Sequence, residues 1–235
     1  MGRIFETRKH KIFARMDKMA KAFSKIGKEI AMAVKEGGTD PANNHRLRAA
    51  IQNGKGVNMP KDRIEAAIHR AASKDAKGFQ EITYEGYGPH GVAMMVDCAT
   101  DNPTRTVANL RMHFDRNGGE LSKSGSVEFM FERKGVFNIP KGNINLEELE
   151  LDLIDFGAED IQDNGEEVII YTTFQNFGAM QKGLESKAIV PTSAELQRLP
   201  TTTKELNEAQ EEDVLKLIGV LEDDDDVQNV FHNLA

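Results

Sequence analysis

The spacing of apolar positions changes twice along the 235-residue chain, and each change marks a new segment. Met16, Met19, Ala20, Phe23, Ile26, Ile30 and Val34 recur at three- and four-residue steps, one stripe of a helix. At 100° per residue Lys18, Lys21, Lys25, Lys28 and Lys35 fall opposite that stripe, so the helix has a core face and a lysine face. Gly37-Gly38 ends it. Asp40-Pro41 reads as the cap and first residue of a second helix, with Leu47, Ala50 and Ile51 inward and His45, Arg46 and Arg48 outward. Gly54-Lys55-Gly56 breaks it, and Asn58-Met59-Pro60 opens a third helix with Ile64, Ala67, Ile68 and Ala71 as its stripe. These helices predict a small bundle with a thin core.

The middle of the chain changes to strand-like runs. Tyr84-Glu85-Gly86-Tyr87-Gly88-Pro89-His90-Gly91 is a glycine-rich turn between two of them, and Val92 to Ala99 reads as a buried strand. Asn102-Pro103 caps a helix with Val107, Leu110 and Phe114 inward, ended by Gly118-Gly119. Val127, Phe129 and Phe131 alternate, which predicts a strand. From Val136 the order is complete: a strand with Phe137 and Ile139, a helix with Leu146, Leu149, Leu153 and Phe156, a hairpin tipped by Asn164-Gly165, a helix with Phe177, Met180 and Leu184, and a strand with Ala194 and Leu196. That is β-α-β-β-α-β, the ferredoxin-like arrangement. The C-terminal stretch adds a helix capped by Asn207, with Val214, Leu217, Ile218 and Leu221 inward, and an extended run from Val227 to His232. It supplies the final α-β that the middle segment lacks. The expected fold is α+β in three domains: a basic helical domain over 1–78, a discontinuous α/β domain over 79–133 plus 205–235, and a second α/β domain over 134–204 inserted into it, both ferredoxin-like; the rival is a simple linear chain of three domains.

Charge divides the chain at the same place. Residues 1–78 hold 18 Lys and Arg against 8 Asp and Glu, a charge of +10, and the remainder holds 12 against 30, a charge of −18. This split predicts a basic module for a polyanion, joined to a body that repels polyanions. A different reading is a regulatory protein whose ferredoxin-like domains bind a small molecule or a protein, and an acidic body suits a protein partner; were that the function, the N-terminal charge would be dispensable.

Other chemistry finds little support. The single cysteine, Cys98, excludes an internal disulfide framework and a multi-cysteine zinc site, and its apolar neighbours predict a buried small side chain. The six histidines are scattered without metal-ligand spacing. Gly54-Lys55-Gly56 lacks the spacing and preceding strand of a phosphate loop. Glu222-Asp223-Asp224-Asp225-Asp226 lacks the alternation and glycine of a calcium loop, and is expected to be a solvated acidic turn. There is no Gly-x-Ser-x-Gly and no Cys–His signature. No catalytic residue, metal or cofactor is expected. No apolar run approaches the roughly 18 residues that span a bilayer, and Met1 to Glu6 lacks the apolar core of a signal peptide, so a cytoplasmic protein without membrane contact is expected.

The binding candidates are basic. Arg3, Arg8, Lys9, His10, Lys11 and Arg15 crowd the N-terminus with Phe5 and Phe13 among them; guanidinium forks suit phosphates, and aromatic rings can stack on unpaired bases. Lys18, Lys21, Lys25 and Lys28 continue along the first helix. Lys55 ends the second, and Lys61 and Arg63 open the third, where backbone N–H groups favour anions. Arg105 and Arg116 share one face of the later helix and are expected to pair with the surrounding acids.

Several stretches together resemble the YebC family, which includes the mitochondrial translational activator of cytochrome c oxidase subunit I. They are Lys28-Glu29-Ile30, Asn58-Met59-Pro60-Lys61-Asp62-Arg63-Ile64, Tyr84-Glu85-Gly86-Tyr87-Gly88-Pro89, Asp101-Asn102-Pro103-Thr104-Arg105-Thr106-Val107, Asn117-Gly118-Gly119, Gly125-Ser126-Val127, Phe131-Glu132-Arg133-Lys134-Gly135 and the run from Asp225 to Asn233. The family often begins Gly-His-Ser-Lys-Trp-Ala, whereas this chain begins Met1-Gly2-Arg3-Ile4-Phe5-Glu6 and has no Trp. The resemblance implies three domains and no catalytic residues. It implies either a translation factor acting on the ribosome or, by the family's common label, a DNA-binding transcriptional regulator. No helix carries Asn, Gln and Arg together on an exposed face to read base edges, and lysines mainly contact phosphates. No heptads suggest a dimer. The expectation is therefore a monomeric, non-enzymatic nucleic-acid-binding protein that acts on ribosomal RNA or the ribosome as a translation activator. The alternative is duplex DNA and transcription.

Overall fold

The computed structural model describes residues 3–73, 78–142 and 144–235, with side chains from Lys18 onward. The chain forms two compact units, Met1–Ala76 and Lys77–Ala235. In the first, α1 (Arg3–Gly37), α2 (His45–Gly56) and α3 (Lys61–Ala72) enclose Ile26, Ile30, Ala33, Val34, Leu47, Ala50, Met59, Ile64 and Ala67. The lower half of the expected α1 stripe thus reaches the core, while Met19 stays exposed.

Two boundaries in this unit differ from the sequence expectation. The second helix starts at His45, capped by Asn44, not at Pro41. Asn44 is buried; its Oδ1 accepts from the Leu47 N–H at 3.0 Å, and its Nδ2 donates to the carbonyls of Ala33 at 2.7 Å and Gly38 at 2.9 Å. One amide therefore satisfies both the open start of α2 and the open end of α1. Asp40 caps only a local turn, through the Ala42 N–H. Nor does Gly54-Lys55-Gly56 break the helix. It forms the last turn of α2, where a Cβ on Gly54 would lie 3.3 Å from both Ile26 and Ile64. The glycine lets α2 pack close against its two neighbours. Asn58, at φ +58°, then turns the chain so that Met59 enters the core and Pro60 precedes α3.

The second unit holds two four-stranded sheets in which every strand pairing is antiparallel. The first contains β1 (Gln80–Tyr87), β2 (Ala93–Thr100), β3 (Glu120–Leu121) and β8 (Val227–His232) in the order β3-β1-β2-β8. The second contains β4 (Phe131–Pro140), β5 (Ala158–Asp163), β6 (Glu167–Thr173) and β7 (Ser193–Pro200) in the order β5-β6-β4-β7. With α5 (Leu146–Ile154) and α6 (Phe177–Ser186) it has the full β-α-β-β-α-β succession. The first sheet reaches a similar two-layer form by another route: two strands, α4 (Pro103–Arg116), a short strand, and then α7 (Glu208–Glu222) and β8 from the C-terminal end.

Strand β2 is buried on both faces. Met94, Val96 and Cys98 join Leu110 and Phe114 of α4 and Val214, Leu217 and Leu221 of α7. Ala93 and Met95 face the other way, against Val127, with Met130, Phe131 and Phe231 packed around them. Cys98 is thus a core residue, as its neighbours predict. The alternation Val127, Phe129, Phe131 is not a strand. Glu128–Met130 is a single 3-10 turn that inserts Val127 and leaves Phe129 76% exposed. On this face the two sheets meet: Arg198 of β7 donates to Thr83 Oγ1 at 3.0 Å and reaches Asp97 Oδ1 at 3.4 Å. Among the described residues no helix is long and apolar enough to cross a membrane.

Candidate nucleic-acid interface

The helical unit carries the predicted basic residues in two sets. Lys18 is exposed on α1, and Lys21, Lys25 and Lys28 follow it half-buried. The side chains of Arg3, Arg8, Lys9, His10, Lys11 and Arg15 lie outside the described residues, although the backbone from Arg3 belongs to α1. The second set surrounds the junction of α2 and α3. Lys55, Lys61 and Arg63 are all exposed, and no side chain caps the first N–H groups of α3. Arg63 holds its guanidinium 6.0 Å from the Phe23 ring centre, which anchors this junction against α1. Lys61 lies 3.6 Å from Glu65 with its side chain 90% exposed, a contact too solvated to fix it. Arg46 and Arg48 are held instead in the fold, on Glu36 and on the carbonyls of Pro41 and Ala42. Long, mobile, exposed ammonium groups suit a phosphate backbone without reading base sequence.

The second unit uses its charged motif residues for structure. Arg105 pairs with Asp101 at 3.0 Å and Asp226 at 2.7 Å, as expected of it, while Arg116 is exposed at the end of α4. The acidic run at 222–226 departs in part from the expectation of a solvated turn: Glu222, Asp223 and Asp225 are exposed, whereas Asp224 and Asp226 are engaged. Asp226 is buried; its carboxylate also accepts from Thr106 Oγ1 at 2.9 Å and Thr100 Oγ1 at 3.3 Å. Asp224 meets Asn109 and His113, each at 3.3 Å. Asp224 and Asp226 therefore latch the α7–β8 turn onto α4. Replacing Asp226 by Ala leaves two buried hydroxyls without this acceptor, and should lower unfolding free energy by on the order of 2 kcal/mol, read as a lower urea midpoint. An unchanged midpoint would show that the latch contributes nothing.

The sequence reading missed two other polar anchors. Asn233, buried beyond β8, accepts from the Ala93 N–H at 2.9 Å and receives the Lys204 N–H on its own carbonyl at 2.7 Å. Glu85, buried in β1, accepts backbone N–H groups from Gly125 at 2.6 Å, Val127 at 2.8 Å and Glu128 at 3.0 Å. Burial pushes its carboxyl up, but these three donors, with Arg198 nearby, outweigh it and hold the group below its ordinary value. The Tyr-Glu-Gly-Tyr-Gly-Pro and Gly-Ser-Val stretches are thus two halves of one contact. Gly119 belongs to the same construction, since a Cβ there would lie 2.7 Å from the Tyr87 carbonyl. In β8, burial depresses His232, against a smaller upward pull from Glu222.

Both parts of the chain match models of one family. The TACO1/YebC protein N-terminal domain matches residues 3–74, and the TACO1/YebC second and third domain matches residues 79–234. The chain belongs to the TACO1/YebC family. A protein of Cytophaga hutchinsonii named "Probable transcriptional regulatory protein" is 56% identical over 235 residues, covering 100% of this chain and 99% of that one. One of Flavobacterium johnsoniae with the same name is 51% identical over 234 residues, with 100% and 99% covered. The crystal structure of a conserved hypothetical protein from Aquifex aeolicus is 40% identical, with a TM-score of 0.81, covering 92% of this chain and 90% of that one. The TACO1/YebC assignment agrees with the resemblance read from the motifs and with an α+β fold of a helical region followed by two further domains.

Proposed function

We propose that this TACO1/YebC protein is a non-enzymatic nucleic-acid-binding regulator of gene expression, and that it acts in the cytoplasm on ribosomal RNA as a translation activator, binding as a monomer. The carrying observation is the division of charge: +10 over residues 1–78 against −18 over the rest. A module of this kind engages phosphates while the body limits how deeply the molecule lies on them. Arg3, Arg8, Lys9, Lys11, Arg15, Lys18, Lys21, Lys25, Lys28, Lys55, Lys61 and Arg63 are the contacts assigned to this role. The domains we assign are 1–78, 79–133 with 205–235, and 134–204; the place of β8 beside β2 supports the discontinuous second domain. Among the described residues no group of three His, Cys, Asp or Glu could hold a metal ion, and no cofactor enters the proposal.

The second reading is regulation of transcription on duplex DNA, which the names of the relatives favour. Sedimentation of lysate on a sucrose gradient, probed for this protein with and without RNase, separates the two. Co-migration with ribosomes, abolished by RNase, is the expected result. Migration only as free protein would overturn the ribosomal reading and leave the promoter-binding one to be measured against random duplex.

A further inference from the structure

Helix α5 is amphipathic on the wrong side as well as the right one. Leu149 and Leu153 are buried under the second sheet. At 100° per residue Leu151 lies opposite them, and Ile154 lies beside it one turn on. Leu151 is 72% exposed and Ile154 54% exposed. A nine-residue helix needs only its core stripe to pack, so an aliphatic pair on its outer face is unexplained by the fold. Glu147, Glu150 and Asp155 border the pair. Residues 146–167 hold ten Asp and Glu and no Lys or Arg. Lys134, Lys141 and Lys187 reach the segment from outside and are engaged by Glu159, Asp163 and Asp152. The outer face of α5 is therefore an aliphatic pair in a field of negative charge.

We propose that this face docks a lysine- and arginine-rich protein helix that carries aliphatic side chains at helical spacing. Charge complementarity selects the occupant. Nucleic acid and acidic protein are repelled, while a purely apolar partner would leave the carboxylates unpaired. Leu151 and Ile154 supply the desolvated anchor that converts a diffuse attraction into a located contact. The proposal is independent of the nucleic-acid reading, because none of the N-terminal bases takes part in it.

The test uses the full chain with a fluorescein-labelled amphipathic Lys/Leu peptide of about five helical turns, at physiological salt. A Lys/Ser peptide of equal charge serves as the control. Fluorescence anisotropy should show the Lys/Leu peptide binding more tightly than the Lys/Ser one. Leu151→Ser with Ile154→Ser should weaken it about tenfold or more. Glu147→Gln with Glu150→Gln and Asp155→Asn should weaken it too and flatten its salt dependence. These residues are exposed, and an unchanged urea midpoint verifies that each variant is folded. Equal binding to parent and variants would place the peptide elsewhere on the acidic body and overturn the proposal, as would no binding at all. Sedimentation equilibrium without peptide covers the remaining occupant. A dimer lost on Leu151→Ser would make the partner a second copy of this chain and would also overturn it.

Discussion

Replacing Glu85 by Ala is expected to destabilise the Lys77–Ala235 unit strongly. Its carboxylate is the common acceptor for three backbone N–H groups that arrive about forty residues later in the chain. Truncation leaves all three donors without it. A buried donor left unsatisfied costs about 1–3 kcal/mol; the Val127 N–H is buried, while Gly125 and Glu128 are exposed positions that water can reach, so a loss of about 2–3 kcal/mol is expected. Val127 and the 3-10 turn after it would also lose their position against Ala93 and Met95, so the contact between the two sheets should loosen with them. Glu85→Gln keeps an acceptor but removes the charge, and should fall between parent and Glu85→Ala. The acid limb gives a second readout. The folded-state carboxyl lies below its ordinary value, so its contribution is fully present above the unfolded value near ~4.3 and is lost as pH falls through the lower folded value. Glu85→Gln should therefore flatten the decline of stability in that window. Urea midpoints measured from pH 7 down to about 3 check both statements, and a parent and a Glu85→Gln curve running parallel would refute the second.

How far the sequence predicts this molecule depends on whether a residue's partner is near it in the chain. The α1 stripe from Phe23 to Val34, the Asn102 and Asn207 caps and the β-α-β-β-α-β run all arise from spacings of two to four residues, and all are present in the structure. The start of α2 is misplaced from sequence because Asp40-Pro41 and Asn44 are both good starts. Asn44 prevails through the carbonyls of Ala33 and Gly38, which the local pattern does not display. Val127, Phe129 and Phe131 alternate as a strand does, yet the period comes from a turn that buries Val127, exposes Phe129 and leaves Phe131 partly buried at the start of β4. Glu85 and Asp226 look like ordinary surface acids. Their burial is decided by backbone N–H groups and hydroxyls some 40 and 120 residues away in sequence. For the candidate interface the sequence shows the sign and place of the charge, and the structure adds which bases are exposed to use it: Arg46 and Arg48 are held on Glu36 and on backbone carbonyls, while Lys55, Lys61 and Arg63 are exposed.

Reversal of charge on the helical unit should cost more binding than any other change proposed for it. Lys9, Lys11, Lys21 and Lys28 changed together to Glu remove four positive charges and add four negative ones along α1. If each lysine neutralises one phosphate, the slope of log affinity against log salt should shallow by about 3 units on single-stranded RNA and slightly more on duplex. At physiological salt the affinity should fall more than about a hundredfold, because the new carboxylates repel the backbone as well as releasing fewer counterions. Lys55, Lys61 and Arg63 changed to Glu form an independent set at the α2–α3 junction. A comparable loss from both sets means that nucleic acid spans α1 and the start of α3; a loss from the first alone confines it to α1. Circular dichroism controls for the fold, since Arg63 leans on Phe23 and the other two junction residues are exposed. Anisotropy titrations against a ribosomal RNA fragment and a duplex of equal length, at four or more salt concentrations, provide the measurement. Affinity that survives both reversals would remove the basic helical unit from the mechanism and leave the acidic body, with its protein-docking face on α5, as the functional part of the molecule.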